Sequence, residues 1–424
     1  MIGVVADDVT GATDVAAALS ERGLRTRLRF GVPSGSDDRV RGLDAIVVAL
    51  KSRSIHPDEA VSQSVAAVQW LKRVGADQYY FKYCSTFDST ESGNIGPVTE
   101  ALASALGQRM VITTPSSPAH GRTVYDGYLF VGKTLLAESH MRDHPLNPMK
   151  DSSTLRLLEA QSEQPIGLLS LDTIRTGVTA TKAAIDAARD DGVVQLVSDA
   201  TSVEDLDVVA RAAVDMTLWA GAAGLVSSIA SLVSHPEQQD HPDRASNGRD
   251  ATAILAGSCS ARTLEQIASF REGPSDFSFF LDQESTSDPK AMALSALAWY
   301  DSLPANVVPL IYSSLPPKGL KEVQKALGAD EASSLFENAL GRIAAGLVQR
   351  GVKRLVTAGG ETSGAIIDAL RLTSAEVDDE LAIGVPWIYS RERNIRLALK
   401  SGNFGDVDLF RNLAATHDEG ANDE

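Results

Sequence analysis

Cysteine is nearly absent from the 424-residue chain, which holds only Cys84 and Cys259. Two thiols so far apart cannot build a disulfide framework, and they lack the paired spacing of a zinc site. A reducing, cytoplasmic setting is expected. Long apolar runs are missing too: none reaches the roughly 18–20 residues of a membrane helix, and the chain opens on an apolar strand, Ile2–Val5, without a basic leader. Neither membrane insertion nor export is expected. Positive charge is in deficit, since 39 Lys and Arg stand against 56 Asp and Glu for a net charge of −17. The long-range field repels polyanions, which argues against nucleic acid and anionic membranes as partners. Any anionic ligand must be held by a local cationic pocket.

What is present is the composition of a globular protein. Hydrophobic residues at 43% and charged residues at 22% exclude a disordered or fibrous chain, and the length calls for two or three domains. Short apolar runs alternate with longer amphipathic stretches. Ile2–Val5, Ala45–Leu50, Gln78–Phe81, Met110–Thr113, Ile166–Leu171 and Val193–Val197 read as buried strands of a parallel sheet. Helices are expected from about Ala12 to Arg22 and from Glu59 to Val74, where Val61, Val65, Val68 and Leu71 recur at helical spacing behind Pro57-Asp58. The polar stretch 235–250 lacks apolar periodicity and reads as a linker. The alternation then resumes with Ala253–Ala256, Val307–Tyr312 and Arg354–Thr357 as strands and a helix from about Ala365 to Leu370. The expected architecture is therefore α/β, with two α/β domains on mainly parallel sheets: residues 1–235, a linker at 236–250, residues 251–413, and a frayed acidic tail at 414–424.

Every stretch that could carry chemistry follows a strand, where open parallel sheets bind ligands. Asp7 and Asp8, between the first strand and helix, can coordinate Mg2+ or accept a proton from a hydroxyl, and a plain helix-capping turn accounts for them equally well. Arg53, in Lys51-Ser52-Arg53-Ser54, can grip a carboxylate through two parallel hydrogen bonds. In the stretch 82–96, Lys82 supplies a point charge, while Ser85, Thr86, Ser89 and Thr90 can read sugar hydroxyls. That stretch is long for a passive connection. His120 and Arg122, in the turn 114–123, could join the same pocket and rank lower, because a lone turn histidine is more often structural. In the second half, Gly257-Ser258-Cys259-Ser260, Thr357-Ala358-Gly359-Gly360-Glu361-Thr362-Ser363-Gly364 and Lys400-Ser401-Gly402-Asn403-Phe404-Gly405 also sit at strand exits. The middle one opens a helix, so free N–H groups and the helix dipole there would cradle a phosphate. It is neither a Walker A loop nor a GxGxxG turn, and structural glycines in a tight turn are the alternative.

Together, Ala6-Asp-Asp-Val-Thr-Gly-Ala12, Lys82 with Cys84-Ser-Thr-Phe-Asp-Ser-Thr90, Gly93-Asn-Ile-Gly96, Gly121-Arg-Thr123 and the three glycine-bearing stretches resemble the signature blocks of the four-carbon acid sugar kinase family. The resemblance implies an N-terminal domain that binds the acid sugar, a C-terminal domain that binds ATP, and an active-site cleft between domains. By position it puts Asp8, Arg53, Lys82, Ser85 and Thr86 on the substrate side; Asp8 is the expected proton acceptor and Asp7 a further substrate contact, with either acid able to serve as the base. It puts Ser258, Gly359, Gly360, Glu361, Thr362, Gly402 and Gly405 on ATP. ATP chemistry implies Mg2+, with ligands unassigned. Leu50-Lys-Ser-Arg-Ser54, Tyr83-Cys-Ser-Thr-Phe-Asp-Ser-Thr90 and Arg122-Thr-Val-Tyr-Asp-Gly-Tyr-Leu-Phe130 are most similar to the 3-oxo-tetronate kinase branch, which implies phosphorylation of a terminal 4-hydroxyl. A D-erythronate or D-threonate kinase would share every block, and a non-catalytic sensor of nucleotide or sugar acid stays open, as does a homodimer. A nicotinamide dehydrogenase is disfavoured, because acids stand where the first turn would carry glycines.

Overall fold

The computed structural model describes residues 1–33, 35, 40–143, 147–233, 250–273 and 276–419. The expected linker, apart from Asp250, and the end of the acidic tail lie outside the described residues. The chain divides into two compact units, Met1–Gln238 and Gln239–Glu424.

The N-terminal unit carries β1 (Ile2–Ala6), β2 (Thr26–Phe30), β3 (Ala45–Ala49), β4 (Gln78–Lys82), β5 (Val111–Thr114), β6 (Arg122–Tyr125), β7 (Tyr128–Val131), β8 (Thr134–Leu135), β9 (Ile166–Leu169), β10 (Gln195–Ser198) and β11 (Leu218–Gly221). Its helices are α1 (Val9–Glu21), α2 (Pro57–Arg73), α3 (Ile95–Leu106), α4 (Thr154–Glu159), α5 (Leu171–Arg175), α6 (Val178–Asp190), α7 (Val203–Ala212) and α8 (Ala223–Val233). The strands pair in parallel in the order β2-β3-β1-β4-β11-β5-β10-β9. β1 and β3 are buried at every position, as strands covered on both faces must be. The chain leaves β1 for β2 through α1, and passes from β3 across β1 to β4 through α2. Right-handed crossovers put these helices on opposite faces, α1 packing on α8 and α2 on α3. The carboxyl ends of β1 and β4 thus flank the point where the winding reverses, the place where such sheets take ligands.

Some elements depart from the sequence-based reading for local reasons. The run Ile166–Leu171 stops being a strand at Leu169, because the Ser170 side chain accepts the Thr173 N–H and starts α5. β2 was hidden by Arg27 and Arg29 alternating within it. β6, β7 and β8 form a separate antiparallel sheet whose first turn, Asp126-Gly127, has φ of 50° and 72°, the left-handed pair that an Asp-Gly hairpin favours. The buried Asp199 carboxylate accepts the N–H groups of Asp126, Gly127 and Leu171 at 2.9, 2.9 and 3.0 Å, tying that hairpin to the exit of β10.

The C-terminal unit carries β12 (Thr252–Ala256), β13 (Ser278–Phe280), β14 (Leu310–Tyr312), β15 (Arg354–Ala358), β16 (Ser374–Ala382), β17 (Val385–Ser390) and β18 (Ile395–Lys400), with α9 (Ala261–Arg271), α10 (Pro289–Asp301), α11 (Pro317–Leu327), α12 (Ala329–Gln349), α13 (Gly360–Leu370) and α14 (Leu409–Glu419). The order is β13-β14-β12-β15-β18-β17-β16, parallel as far as β18 and antiparallel beyond. Winding reverses between β12 and β15. α13 begins at Gly360 rather than near Ala365: Ser363 Oγ donates to the Gly359 carbonyl and draws the whole Gly-Glu-Thr-Ser run into the first turn. Among the described residues no helix is long and apolar enough to cross a membrane.

Asp199→Ala leaves three N–H groups at a buried position without an acceptor, at about 1–3 kcal/mol each when unsatisfied. The expected outcome is a loss of roughly 3 kcal/mol or more in urea-denaturation stability; a change below 1 kcal/mol would mean that water replaces the carboxylate.

Candidate active site

Three neighbouring strand exits build the first cluster. β1 leads into Asp7 and Asp8, β3 leads to Arg53, and β4 ends in Lys82. The main chain of Asp7 stitches them together: its N–H donates to the Lys82 carbonyl, and its own carbonyl accepts the N–H groups of Ser52 and Arg53. Asp8 caps α1, accepting Gly11 N–H at 2.8 Å and Thr10 Oγ1 at 2.6 Å. It also accepts Arg53 Nη2 at 2.7 Å, so capping and charge pairing coexist in one side chain. Arg53 closes a bidentate pair on Asp7, Nε to Oδ2 and Nη2 to Oδ1, both at 2.9 Å. The fork expected to grip a substrate carboxylate is thus engaged by a carboxylate of the chain itself. Lys82 is 3% exposed and donates to the Tyr83 carbonyl at 2.8 Å. Gly11 has to be glycine, since a Cβ there would stand 2.4 Å from Asp8 Oδ1 and 2.9 Å from Lys82 Nζ.

The adjacent acids separate electrostatically. Burial holds the Asp7 carboxyl above the usual range, and Arg53 only partly opposes it. Burial also pushes Asp8 upward, but Arg53, Lys82, Thr10 and the Gly11 N–H outweigh it and bring Asp8 below the usual range. Arg53 is held well above its ordinary value because Asp7 and Asp8 overcome the burial that would lower it. Asp8 is therefore the more acidic of the two carboxyls.

Ser85 and Thr86 sit beside this cluster in a turn whose next residues, Phe87 and Asp88, have φ of 61° and 28°. The buried Phe87 ring, edge-on to Tyr83 at 5.7 Å, anchors that unusual backbone. Thr86 Oγ1 lies 3.0 Å from Cys84 Sγ. In the same stretch, Gln161 Nε2 donates to Ser89 Oγ and to the Thr90 main-chain carbonyl. Asn94, in the Gly93-Asn-Ile-Gly96 block, donates Nδ2 to the carbonyls of Ser52, Arg53 and Ile55 and so holds the Arg53 loop in place, a role that its place at the start of α3 does not reveal in the sequence. The lower-ranked turn 114–123 also reaches this region: His120 Nε2 lies 3.8 Å from Asp14 of α1, and Asp14, Lys82 and Asp8 act on one another electrostatically.

In the C-terminal unit the exits of β12, β15 and β18 converge. A Cβ on Gly257 would meet Thr362 Oγ1 at 2.2 Å. One on Gly359, whose φ is 123°, would lie 3.2 Å from Ser258 N, and one on Gly402 would meet Ser258 Oγ at 2.3 Å. The N-cap of α13 is Gly359, which has no side chain to accept the leading N–H groups, and a helix start of that kind suits an anion. Glu361 is exposed on that turn and Thr362 is buried. These are conditions under which a triphosphate fits on main-chain amides. Gly405 does something different: with φ of 79° and Leu409 Cδ2 only 2.6 Å from its would-be Cβ, it turns the chain into α14, and Gln266 binds the flanking Phe404 and Asp406 carbonyls. Lys400, fully buried, donates to Thr263 Oγ1 and to the carbonyls of Ser401 and Gly402. Burial, with a smaller contribution from Arg262, lowers its pKa to about 7. Among the described residues no three His, Cys, Asp or Glu cluster as a metal cage, and magnesium in phosphate chemistry is usually held by one or two carboxylates plus the phosphates.

Unfolded lysine keeps its proton to about pH 10.4, whereas folded Lys400 releases it near pH 7. In that window the unfolded chain binds the extra proton, so this residue makes stability rise with pH between the two values. The urea midpoint of the native chain should climb relative to that of Lys400→Met from about pH 7 to 10 and run parallel below pH 7. Parallel curves throughout would show that the lysine stays charged.

Comparison with known proteins bears on both units. Residues 2–229 match the sugar-binding N-terminal domain family, and residues 253–410 match the nucleotide-binding C-terminal domain family. The chain is 41% identical to a 3-oxo-tetronate kinase of Haemophilus influenzae, covering 97% of this chain and 98% of the relative. It is 40% identical, with the same coverage, to a 3-oxo-tetronate kinase of Actinobacillus succinogenes. A crystal structure from Salmonella typhimurium is similar with a TM-score of 0.82 at 39% identity, over 97% of this chain and 98% of that one. Likeness of this extent, along nearly the whole of both proteins, means that the chain belongs to the four-carbon acid sugar kinase family, within its 3-oxo-tetronate kinase branch.

Proposed function

We propose that this chain is an ATP-dependent kinase that phosphorylates the 4-hydroxyl of 3-oxo-tetronate. The observation that carries the reading is the pair of clusters at the two winding reversals. In the N-terminal unit an ionised Asp8 stands among Arg53 and Lys82, suited to a small polyhydroxy acid. In the C-terminal unit glycine turns and an uncapped helix start are suited to a triphosphate.

Phosphoryl transfer asks for an aligned hydroxyl, a neutralised triphosphate and little water. The substrate 4-hydroxyl oxygen bonds to the γ-phosphorus as the bond to the bridging oxygen of ADP breaks, and the hydroxyl proton passes to Asp8. A carboxylate held below its usual pKa is a weak base but a firm hydrogen-bond acceptor, which orients the hydroxyl and receives its proton once the bond to phosphorus is forming. Ser258, Gly359, Gly360, Thr362 and Gly402 hold the phosphates through main-chain amides and hydroxyls. Magnesium, bound with ATP, supplies charge neutralisation at the phosphates.

A coupled assay of ADP release over a panel of four-carbon acids tests the reading. Release should require an added acid and be fastest with 3-oxo-tetronate; a preference for D-erythronate or D-threonate would move the chain to another branch, and ATP turnover indifferent to any acid would remove the kinase reading. Asp8→Asn keeps a good helix cap, so the fold should survive while kcat falls by about 10²–10⁴, the range for a lost general base, with the KM for ATP little changed. Gly402→Ala, which collides with Ser258 Oγ, should raise the KM for ATP and leave that for the acid unaltered.

A further inference from the structure

We propose that Arg122, rather than Arg53, holds the carboxylate of the acid sugar. The assignment rests on the kinase reading above and names the residue that selects an acid over a neutral sugar. The cations of the N-terminal cluster differ in whether an anion already engages them. Arg53 has Nε and Nη2 engaged by Asp7 and Asp8. Lys82 is buried, its Nζ donating to the Tyr83 carbonyl and packed against the backbone at Gly11.

Arg122, the first residue of β6, differs. Its Nη1 donates to the His120 carbonyl, while Nε is buried without an acceptor. Among the described residues no carboxylate lies within ion-pair distance of it. Burial lowers its pKa, and only Cys84 and Asp14 offset this through space. A guanidinium removed from water without an anionic partner is unfavourable, and an unengaged Nε–Nη2 edge is the face that takes a carboxylate in two parallel bonds. Its turn also belongs to the cluster. His120 Nδ1 lies 2.8 Å from Ser117 Oγ, and the other side of the ring faces Asp14, which shares its field with Lys82 and Asp8. Cys84, the second group that acts on Arg122, belongs to the Lys82–Thr90 turn. A carboxylate on Arg122 would thus lie beside Asp14 and Cys84, the groups that border the Asp8 cluster, and the Asp7–Asp8–Arg53 network would stay intact to orient the hydroxyl.

The test compares the native chain, Arg122→Ala and Arg122→Lys with two ligands: 3-oxo-tetronate, read as KM, and the neutral ketose erythrulose, which carries CH2OH in place of the carboxylate, read as an inhibition constant. Arg122→Ala should raise the KM for the acid by about 10²-fold or more, the loss expected for a bidentate charged pair, and change erythrulose inhibition by less than about threefold. Arg122→Lys, which keeps the charge and the stem, should raise the acid KM by about tenfold and leave erythrulose inhibition alone. An unchanged acid KM in both variants, or equal losses for acid and ketose, overturns the assignment while leaving the kinase reading in place. A native chain that releases no ADP with the acid overturns the kinase reading, and this assignment with it.

Discussion

Two carboxylates adjacent in sequence, at the buried end of a parallel strand, cannot both stay ionised without a cation between them, and the N-terminal unit is organised around that requirement. Arg53 meets it, but only because its loop is fixed from two sides. The main-chain carbonyl of Asp7 holds the Ser52 and Arg53 amides, and Asn94 holds the carbonyls of Ser52, Arg53 and Ile55. Removing one member of such a buried set typically costs about 3–5 kcal/mol, since it strands a charge. The arrangement holds Asp8 below and Asp7 above the usual carboxylate range, a difference that neither residue type implies alone. Nε and Nη2 of Arg53 are both occupied in this way.

The C-terminal unit solves the opposite problem. Its ligand brings the negative charge, so the protein supplies main-chain dipoles and space instead of paired side chains. Gly257 and Gly402 each stand where a Cβ would collide with a hydroxyl of another turn, and Gly359 has a φ of 123° close to the Ser258 main chain, which lets three strand exits crowd together. Lys400 stabilises that crowding from inside by binding the carbonyls of the Ser401-Gly402 turn. Because no carboxylate accompanies it among these contacts, its proton is held loosely. A lysine there acts as a hydrogen-bonding post as much as a charge.

Much of the scaffold was legible in the sequence because central parallel strands must be continuously apolar: Ile2–Ala6 and Ala45–Ala49 announce themselves. The strand exits were equally legible, since Asp7-Asp8, Arg53, Lys82 and the glycine turns each follow such a run. Less visible were elements whose reason for existing is tertiary. β2 alternates arginine with apolar residues, and the β6–β7 hairpin depends on Asp199, remote in sequence, to satisfy its turn. Ser89 and Thr90 carry the residue types of a sugar site, and that Gln161 also binds Ser89 Oγ and the Thr90 carbonyl is visible only in the structure.

The sequence by itself determined the α/β class, the strand exits and the chemical kinds of group gathered there, because burial and turn geometry restrict residue type locally. Tertiary structure decided which groups neutralise one another. Arg53 faces Asp7 and Asp8, Gln161 takes the hydroxyl turn, and Arg122 is left with an unmatched edge, because pairing depends on distance across neighbouring strands, which no stretch of chain encodes on its own.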